Sequence, residues 1–197
     1  MPKIILITHQ KGGVGKSTLS FNLAQNIAKN ASVAVLDFDL QGSLSQLSEI
    51  VTDFDIIPFQ DNIENISALA YDFVFIDTPP YLSNHLSKLI ALADLIIVPT
   101  KAGILDLLAI KGTIEIIQTE CKISKTLIVF TMIIAKTSLT EDIQKSLDEY
   151  NVKIANTKIS DLASFTRSVL LNGVENDNKA QKQIDSLTKE VLTQLIS

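Results

Sequence analysis

Six short apolar runs, rich in β-branched residues, set the strongest limit on how this chain of 197 residues can fold. They occupy residues 3–8, 32–38, 72–78, 94–100, 126–134 and 151–157. Few polar residues interrupt them, which is typical of strands buried on both faces of a parallel sheet. Helical patterns lie between them at 17–29 and 103–121, from Thr140 onward, and at 175–196. Strands alternating with helices predict an α/β fold with an open, mostly parallel twisted sheet and helices on both faces.

The composition predicts one globular domain over residues 1–197. Apolar residues make up 46% of the chain and charged residues 20%, which supports a packed core rather than disorder. The net charge of -5 argues against a strongly basic nucleic-acid binder. The single cysteine, Cys121, excludes an intramolecular disulfide, and no apolar run approaches the roughly 20 residues that span a bilayer. We therefore expect a cytoplasmic protein.

A glycine-rich loop, THQKGGVGKST at residues 8–18, follows the first apolar run and precedes the first helical pattern. Its glycines allow backbone N–H groups to approach an anion, and the N-terminus of the following helix faces the same anion. Lys16 supplies charge for the terminal phosphates, and the Ser17 hydroxyl can ligate Mg²⁺. A plain glycine turn is the alternative. The order of strand, loop and helix favours a phosphate-binding loop formed by Lys11, Gly12, Gly13, Val14, Gly15, Lys16, Ser17 and Thr18.

Three aspartates follow apolar runs at the sheet edge where ligands of such folds bind. Asp37 and Asp39 close the second run, and alternation along a strand points both carboxylates the same way. Asp77 ends the third run, directly before Thr78. One such aspartate is often only a helix cap. Together they suggest a Mg²⁺ site of Ser17, Asp37 and Asp77, with Asp39 orienting a water for attack.

The segment KGGVGKS at residues 11–17 resembles the deviant Walker A motif of the ParA/MinD superfamily of P-loop ATPases. DFDLQG (37–42), FVFIDTPP (73–80) and IIVPTKAGILDL (96–107) resemble further segments of that superfamily. The resemblance implies a P-loop NTPase fold, ATP and Mg²⁺ as cofactors, and weak ATP hydrolysis. It implies catalytic roles for Lys11, Lys16 and Asp39. Lys11 would reach across an ATP-bound homodimer to the partner's phosphates, somewhat like an arginine finger.

Gln41–Gly42 favours a resemblance to ParA over MinD. The chain lacks the N-terminal DNA-binding extension of long ParA proteins, so it resembles the short plasmid-partition type. Cys121 alone cannot hold the iron–sulfur cluster of a nitrogenase iron protein, and the C-terminal tail lacks the tyrosines of related kinases. The resemblance implies an ATPase that partitions DNA or positions an intracellular cargo. Its ATP dimer would bind duplex DNA of the nucleoid without sequence preference, and a ParB-like or other adaptor would stimulate hydrolysis.

Two other functions stay open at this level. A MinD-like membrane-cycling ATPase would use the final amphipathic helix, whose apolar face carries Ala180, Ile184, Leu187 and Val191. Packing of that face on the sheet is favoured because the helix lacks bulky aromatic anchors, so a membrane partner is not expected. A module that binds ATP without hydrolysing it is disfavoured by the joint presence of Lys16, Asp39 and Asp77.

Any DNA contact must come from local basic patches, given the acidic net charge. The candidates lie in the C-terminal part of the chain: Lys153, Lys158, Arg167, Lys179, Lys182 and Lys189. Lysines that only keep the surface solvated are the equally weighted alternative. The sequence does not indicate which residues contact the adenine ring, which cargo is moved, or which adaptor acts.

Overall fold

The structure, a computed structural model, describes residues 1–39, 44–58, 62–81, 85–134 and 138–196, without the side chains of residues 138–141. Within these residues seven parallel strands form one sheet in the order β3-β2-β4-β1-β5-β6-β7. The strands are β1 (Lys3–Ile7), β2 (Val33–Asp37), β3 (Asp55–Pro58), β4 (Phe73–Asp77), β5 (Leu95–Thr100), β6 (Thr126–Phe130) and β7 (Lys153–Ile154). The predicted parallel α/β fold is confirmed.

Helices cover both faces of the sheet, as the sequence predicts. In the described part of the chain they are α1 (Lys16–Ala28), α2 (Leu86–Leu92), α3 (Ile104–Thr119), α4 (Ser138–Asp148), α5 (Ala163–Arg167) and α6 (Asn178–Ile196). Successive side chains of a strand point to opposite faces. Ile5 and Ile7 of β1 accordingly pack with α1 and α6 in one buried cluster, and Ile4 and Leu6 pack with α2, α3 and α4 in the other.

The register of the central strands brings three strand ends together. β1 pairs with β4 so that Ile7 lies opposite Asp77, and β2 pairs with β4 so that Asp37 also lies opposite Asp77. The loops that leave β1, β2 and β4 therefore start side by side at the carboxyl edge of the sheet, where ligands of open α/β sheets bind.

Several predicted element boundaries differ from the structure. The strand predicted at 126–134 ends at Phe130, because Met132 adopts a left-handed backbone with φ 54°. The strand predicted at 151–157 shrinks to β7, because the N–H groups of Asn156 and Thr157 donate to the Glu190 carboxylate of α6. The last helix begins at Asn178, since the Asp177 carboxylate accepts the N–H groups of Lys179 and Ala180.

Three elements were missed by the sequence patterns. β3 pairs only with β2 among the described strands, and it carries Asp55 and Pro58 at its ends, so it lacks the continuous apolar pattern of a central strand. α2 and α5 have seven and five residues, too short for a clear helical period.

The final helix uses its apolar face for packing. Ala180, Ile184, Leu187 and Val191 are at most 1% exposed and belong to the cluster that includes α1. Lys179, Lys182 and Lys189 lie on the exposed face. Packing, the favoured interpretation of this helix, is what the structure shows. Among the described residues no helix is long and apolar enough to cross a membrane.

Candidate functional site

The glycine-rich loop connects β1 to α1 and forms one wall of a cavity of about 580 Å³. Gly13 (φ 69°) and Gly15 (φ 90°) adopt left-handed backbone conformations, which only glycine takes at little cost. The Thr131 hydroxyl donates to the Val14 carbonyl at 2.8 Å and ties the loop to the end of β6. The cavity is lined by Gly12, Gly13, Gly15, Lys16, Ser17, Asp39, Thr78, Pro79 and Pro80.

Lys16 lies at the bottom of this cavity and is 7% exposed. Its ammonium donates to the Lys11 carbonyl at 3.2 Å, so the lysine folds back over the loop that precedes it. Burial lowers the pKa of Lys16 below its ordinary value, and the negative charges of Asp77 and Asp39 oppose that shift. The arrangement is a positive charge at a glycine-rich loop and a helix N-terminus, which suits the terminal phosphates of a nucleotide.

Asp77, at the end of β4, joins the first two turns of α1 to the sheet. The Ser17 hydroxyl donates to Oδ2 at 2.6 Å, and the Ser20 hydroxyl donates to Oδ1 at 2.9 Å. Burial raises the pKa of Asp77 to about 6, although both serine hydrogen bonds and the nearby Lys16 pull it down. Sequence analysis missed Ser20; its position three residues after Ser17, on the same side of a helix, could have indicated it.

The two aspartates near the end of β2 differ in their surroundings. Asp39 follows the strand and lines the cavity. Asp37 is buried and does not line the cavity; its carboxylate accepts hydrogen bonds from the N–H groups of Asp39, Leu44 and Ser45 and from the Ser45 hydroxyl. The carboxylates therefore do not share one direction, and Asp37 organises the loop that carries Asp39. Its Mg²⁺ role stays a prediction, and Gln41–Gly42, which favour the ParA branch, lie outside the described residues.

The oxygen donors at the cavity fit a magnesium ion. Mg²⁺ prefers oxygen ligands and is usually bound by one or two carboxylates together with substrate phosphates. The Ser17 hydroxyl and the Asp77 carboxylate already lie in contact, and Asp39 lines the same cavity. Within the described residues no group of three or more His, Cys, Asp and Glu side chains suits a metal ion. Mg²⁺ held by Ser17 and Asp77 would take further ligands from water and from nucleotide phosphates, as it usually does.

Lys11 does not line the cavity that Lys16 occupies. Its ammonium instead donates to Oδ1 of Asp106 in the first turn of α3 at 2.7 Å. Its backbone N–H donates to Nδ1 of His9, a buried residue at the end of β1. Burial lowers the pKa of His9 to about 4, with Lys16 and Lys11 acting in the same direction against Asp106. His9 and Asp106 were not predicted as site residues. Asp106 is distant from Lys11 in the sequence, and His9 belongs to no motif that indicates its contact.

A second, narrower hollow of about 50 Å³ begins at Gly15 and Thr18 of the same loop. Its walls are mostly apolar and come from the segments that follow β6 and β7. Leu19, Thr131, Met132, Ile159, Ser160, Asp161, Leu162, Phe165 and Thr166 complete it. The sequence did not indicate a pocket at these segments, since the hollow forms only when both fold against α1.

The predicted DNA contacts are dispersed over several elements. The Lys153 ammonium donates to Gln194 near the end of α6, and the Lys158 ammonium lies 5.5 Å from the centre of the Phe130 ring. Arg167 is exposed at the end of α5, next to two residues of the narrow hollow, Phe165 and Thr166. Lys179, Lys182 and Lys189 share the exposed side of α6. Two of the six candidates thus already have partners within the chain.

Comparison with known proteins identifies related sequences over most of the chain. The family described as the CobQ/CobB/MinD/ParA nucleotide binding domain matches residues 5–195. Maintenance of carboxysome distribution protein A of Halothiobacillus neapolitanus is 25% identical over 207 residues, covering 95% of each chain. The chromosome-partitioning ATPase Soj of Treponema pallidum is 25% identical over 213 residues, covering 81% of this chain and 83% of that protein.

A solved structure supports the same fold. The chain superposes on a plasmid partition protein of Borrelia burgdorferi bound to AMPPNP with a TM-score of 0.78. The two sequences are 22% identical, and the match covers 98% of this chain and 99% of that one. The predicted P-loop fold of the ParA/MinD class is confirmed.

We predict that Asp77→Asn raises the stability of the metal-free protein at neutral and basic pH. The pKa of Asp77 is raised from 3.8 to about 6, so the folded protein holds a proton that the unfolded chain releases between these values. The associated stability is complete below pH 3.8 and is lost as the pH rises through about 6. At higher pH the buried charge costs roughly 3 kcal/mol, from 1.36 kcal/mol per pKa unit.

Denaturant unfolding with a chelator should show Asp77→Asn to be more stable than the parent at about pH 8 and no more stable at about pH 4. Asp72→Asn is the matched control, because hydrogen bonds from Ser32 lower the pKa of Asp72 and no gain at basic pH is expected. A gain for Asp77→Asn that does not depend on pH would contradict the assignment.

Proposed function

Because the chain belongs to the CobQ/CobB/MinD/ParA nucleotide-binding family, we propose that it is a ParA-type ATPase that positions DNA or another intracellular cargo. The observation that carries the proposal is that Lys16, Ser17 and Asp39 line one cavity at the carboxyl edge of the sheet, with the buried Asp77 carboxylate directly behind Ser17. Relatives named for carboxysome distribution, chromosome partitioning and plasmid partition support a positioning role.

ATP would bind with its phosphates against the loop of residues 11–18. Lys16 and the loop N–H groups would hold the phosphates, while Ser17 and Asp77 would hold Mg²⁺. The ion would neutralise charge that develops on the phosphates during hydrolysis. The narrow hollow that begins at Gly15 is the best candidate for the base, because its apolar walls can stack on a ring and Ser160 and Asp161 offer polar contacts.

Hydrolysis would depend on Asp39. It lines the phosphate cavity, and the buried Asp37 holds the loop on which it lies. A carboxylate at this place can accept a hydrogen bond from a water and direct its oxygen toward the terminal phosphate. Because such chemistry rests mainly on positioning, the loop anchored by Asp37 matters as much as the carboxylate of Asp39.

Lys11 would act on the nucleotide of a second copy of this chain. Its ammonium contacts Asp106, and Lys11 does not line the cavity of its own subunit. Three large apolar side chains in the first turns of α3, Ile104, Leu105 and Leu108, are 62–72% exposed next to its partner Asp106. Exposed apolar side chains grouped in this way are typical of an interface. ATP would close the homodimer here, and an adaptor of ParB-like function would accelerate hydrolysis.

A MinD-like membrane cycle is the second candidate and receives less support. The apolar face of α6 is buried against the core and would have to leave it before contacting lipid. We therefore propose that the protein acts in the cytoplasm, where its ATP dimer binds the DNA of the nucleoid.

We predict that Lys11→Ala leaves nucleotide binding by the monomer largely intact but blocks ATP-dependent dimerisation. ATP turnover should fall by as much as about 10³-fold, the size of the effect of a finger residue supplied by another subunit. Light scattering with ATP and a phosphate-release assay measure the two effects. Lys88→Ala, which removes an exposed lysine from α2, is the control. A variant with normal dimerisation and turnover would exclude the cross-subunit role, and a parent without turnover would exclude the ATPase.

Asp39→Ala should have the converse effect. The variant should dimerise with ATP and remain dimeric, because hydrolysis no longer ends the ATP state. Dimer lifetime after dilution and single-turnover hydrolysis check this expectation. Asp148→Ala removes an exposed carboxylate at the end of α4 and should behave like the parent. Parental hydrolysis by Asp39→Ala would remove that residue from the chemistry.

We predict ATP-dependent, sequence-independent binding to duplex DNA, weakened by Arg167→Ala without loss of the dimer. Each phosphate contact adds about 0.9 to the slope of log affinity against log salt, so a dimer that doubles the contacts binds much more tightly at low salt. Gel shifts at low salt with ATP, with ADP and without nucleotide provide the test. Lys125→Ala removes an exposed lysine near the start of β6 as the control. A verified ATP dimer that fails to shift DNA would shift support to the membrane cycle.

A further inference from the structure

The Lys11 ammonium is held within its own chain by Asp106. The two side chains meet at 2.7 Å, and the Lys11 side chain is 35% exposed whereas that of Asp106 is 10% exposed. Water and salt screen an enclosed carboxylate less than an exposed one. The contact therefore competes with any other anion that approaches Lys11.

Gly103 provides the space that this carboxylate occupies. A Cβ atom at residue 103 would lie 2.6 Å from Oδ2 of Asp106, closer than real Cβ atoms approach any atom. The Gly103 backbone has φ -134° and ψ 153°, an extended conformation that alanine also adopts. The backbone would thus accept alanine at residue 103, but the added Cβ would require the Asp106 carboxylate to move.

The main chain around Lys11 is anchored to neighbouring side chains. The Gln10 N–H donates to the Thr113 hydroxyl of α3 at 3.3 Å, and the Lys11 N–H donates to Nδ1 of His9 at 2.8 Å. With the backbone fixed in this way, rotation of the Lys11 side chain is the simplest movement that carries the ammonium away from Asp106. The Lys11 ammonium can therefore bind either Asp106 or another anion.

Resting on the proposed function, we propose that Asp106 is a positioning residue that keeps Lys11 within its own subunit until the nucleotide of a second copy takes its place. The exchange leaves the enclosed Asp106 carboxylate without its lysine, and the energy gained from the phosphates must offset that loss in both subunits. The pair would thereby raise the concentration of ATP-loaded protein that is needed before dimers form.

Asp106→Asn tests the proposal because it keeps the side-chain shape and removes the charge. The dimer dissociation constant should fall on the order of tenfold, since one charge-assisted hydrogen bond is weakened in each subunit before association. Sedimentation velocity over a dilution series with a non-hydrolysable ATP analogue measures it. Glu115→Gln, which removes an exposed carboxylate of the same helix, should retain the parental value.

Gly103→Ala gives an independent test that leaves all charges in place. The added Cβ should displace the Asp106 carboxylate and shift the dissociation constant in the same direction. In a Lys11→Ala background, Asp106→Asn should not restore dimerisation, because its effect acts through Lys11. If Asp106→Asn acted instead by reducing charge repulsion between the two subunits, it would restore dimerisation in this background. ADP binding by calorimetry verifies that each variant is folded.

The outcomes separate this inference from the proposed function. A parent protein that stays monomeric with the ATP analogue overturns both. If the parent dimerises and both Asp106→Asn and Gly103→Ala dimerise equally or more weakly than the parent, this inference alone is overturned. Asp106 would then orient Lys11 for the second subunit rather than hold it within its own.

Discussion

The Asp77 carboxylate is the group on which the arrangement of the site depends. Its two oxygens accept hydrogen bonds from Ser17 and Ser20 and so fix the beginning of α1 against the end of β4. That contact orients the helix N-terminus, and with it the glycine loop, toward the cavity. It also encloses a negative charge, which is why the pKa of Asp77 rises to about 6. The buried charge lowers the stability of the protein when no cation is bound, and it provides a carboxylate that can bind a cation.

The charges around the site would favour the proposed Mg²⁺ ion. Four carboxylates, those of Asp37, Asp39, Asp77 and Asp106, surround two ammonium groups, so the site is net negative before a negatively charged nucleotide arrives. Asp37 contacts the loop after β2, Asp77 contacts the hydroxyls of α1, and Asp106 contacts Lys11. Each of these three aspartates thus holds one part of the site in place: the loop after β2, the start of α1, or the Lys11 side chain. A divalent cation would offset the repulsion between these carboxylates and the phosphates of a nucleotide.

How much could be predicted from the sequence depended on whether a feature is local. The central strands and the loop around Lys16 carry their pattern within a few consecutive residues, and the structure has both where expected. β3 lacked such a pattern because it lies beside only one described strand. The contact between Lys11 and Asp106 joins residues far apart in the chain, and the hydrogen bonds that occupy Asp37 come from a loop folding back. Tertiary contacts of this kind leave no periodic trace.

The position of β1 in the sheet has a consequence for synthesis of the chain. The strand that leads into the glycine loop pairs with β4 and β5, and α1 packs against α6, the last helix described. An early part of the site is therefore supported by a helix that the ribosome makes about 150 residues later. Until α6 has emerged, the part of α1 that packs on α6 stays uncovered, although the sheet strands made earlier can already cover the rest of the helix. Translation speed and the access of chaperones would therefore influence how efficiently the nascent chain folds into a nucleotide-binding state.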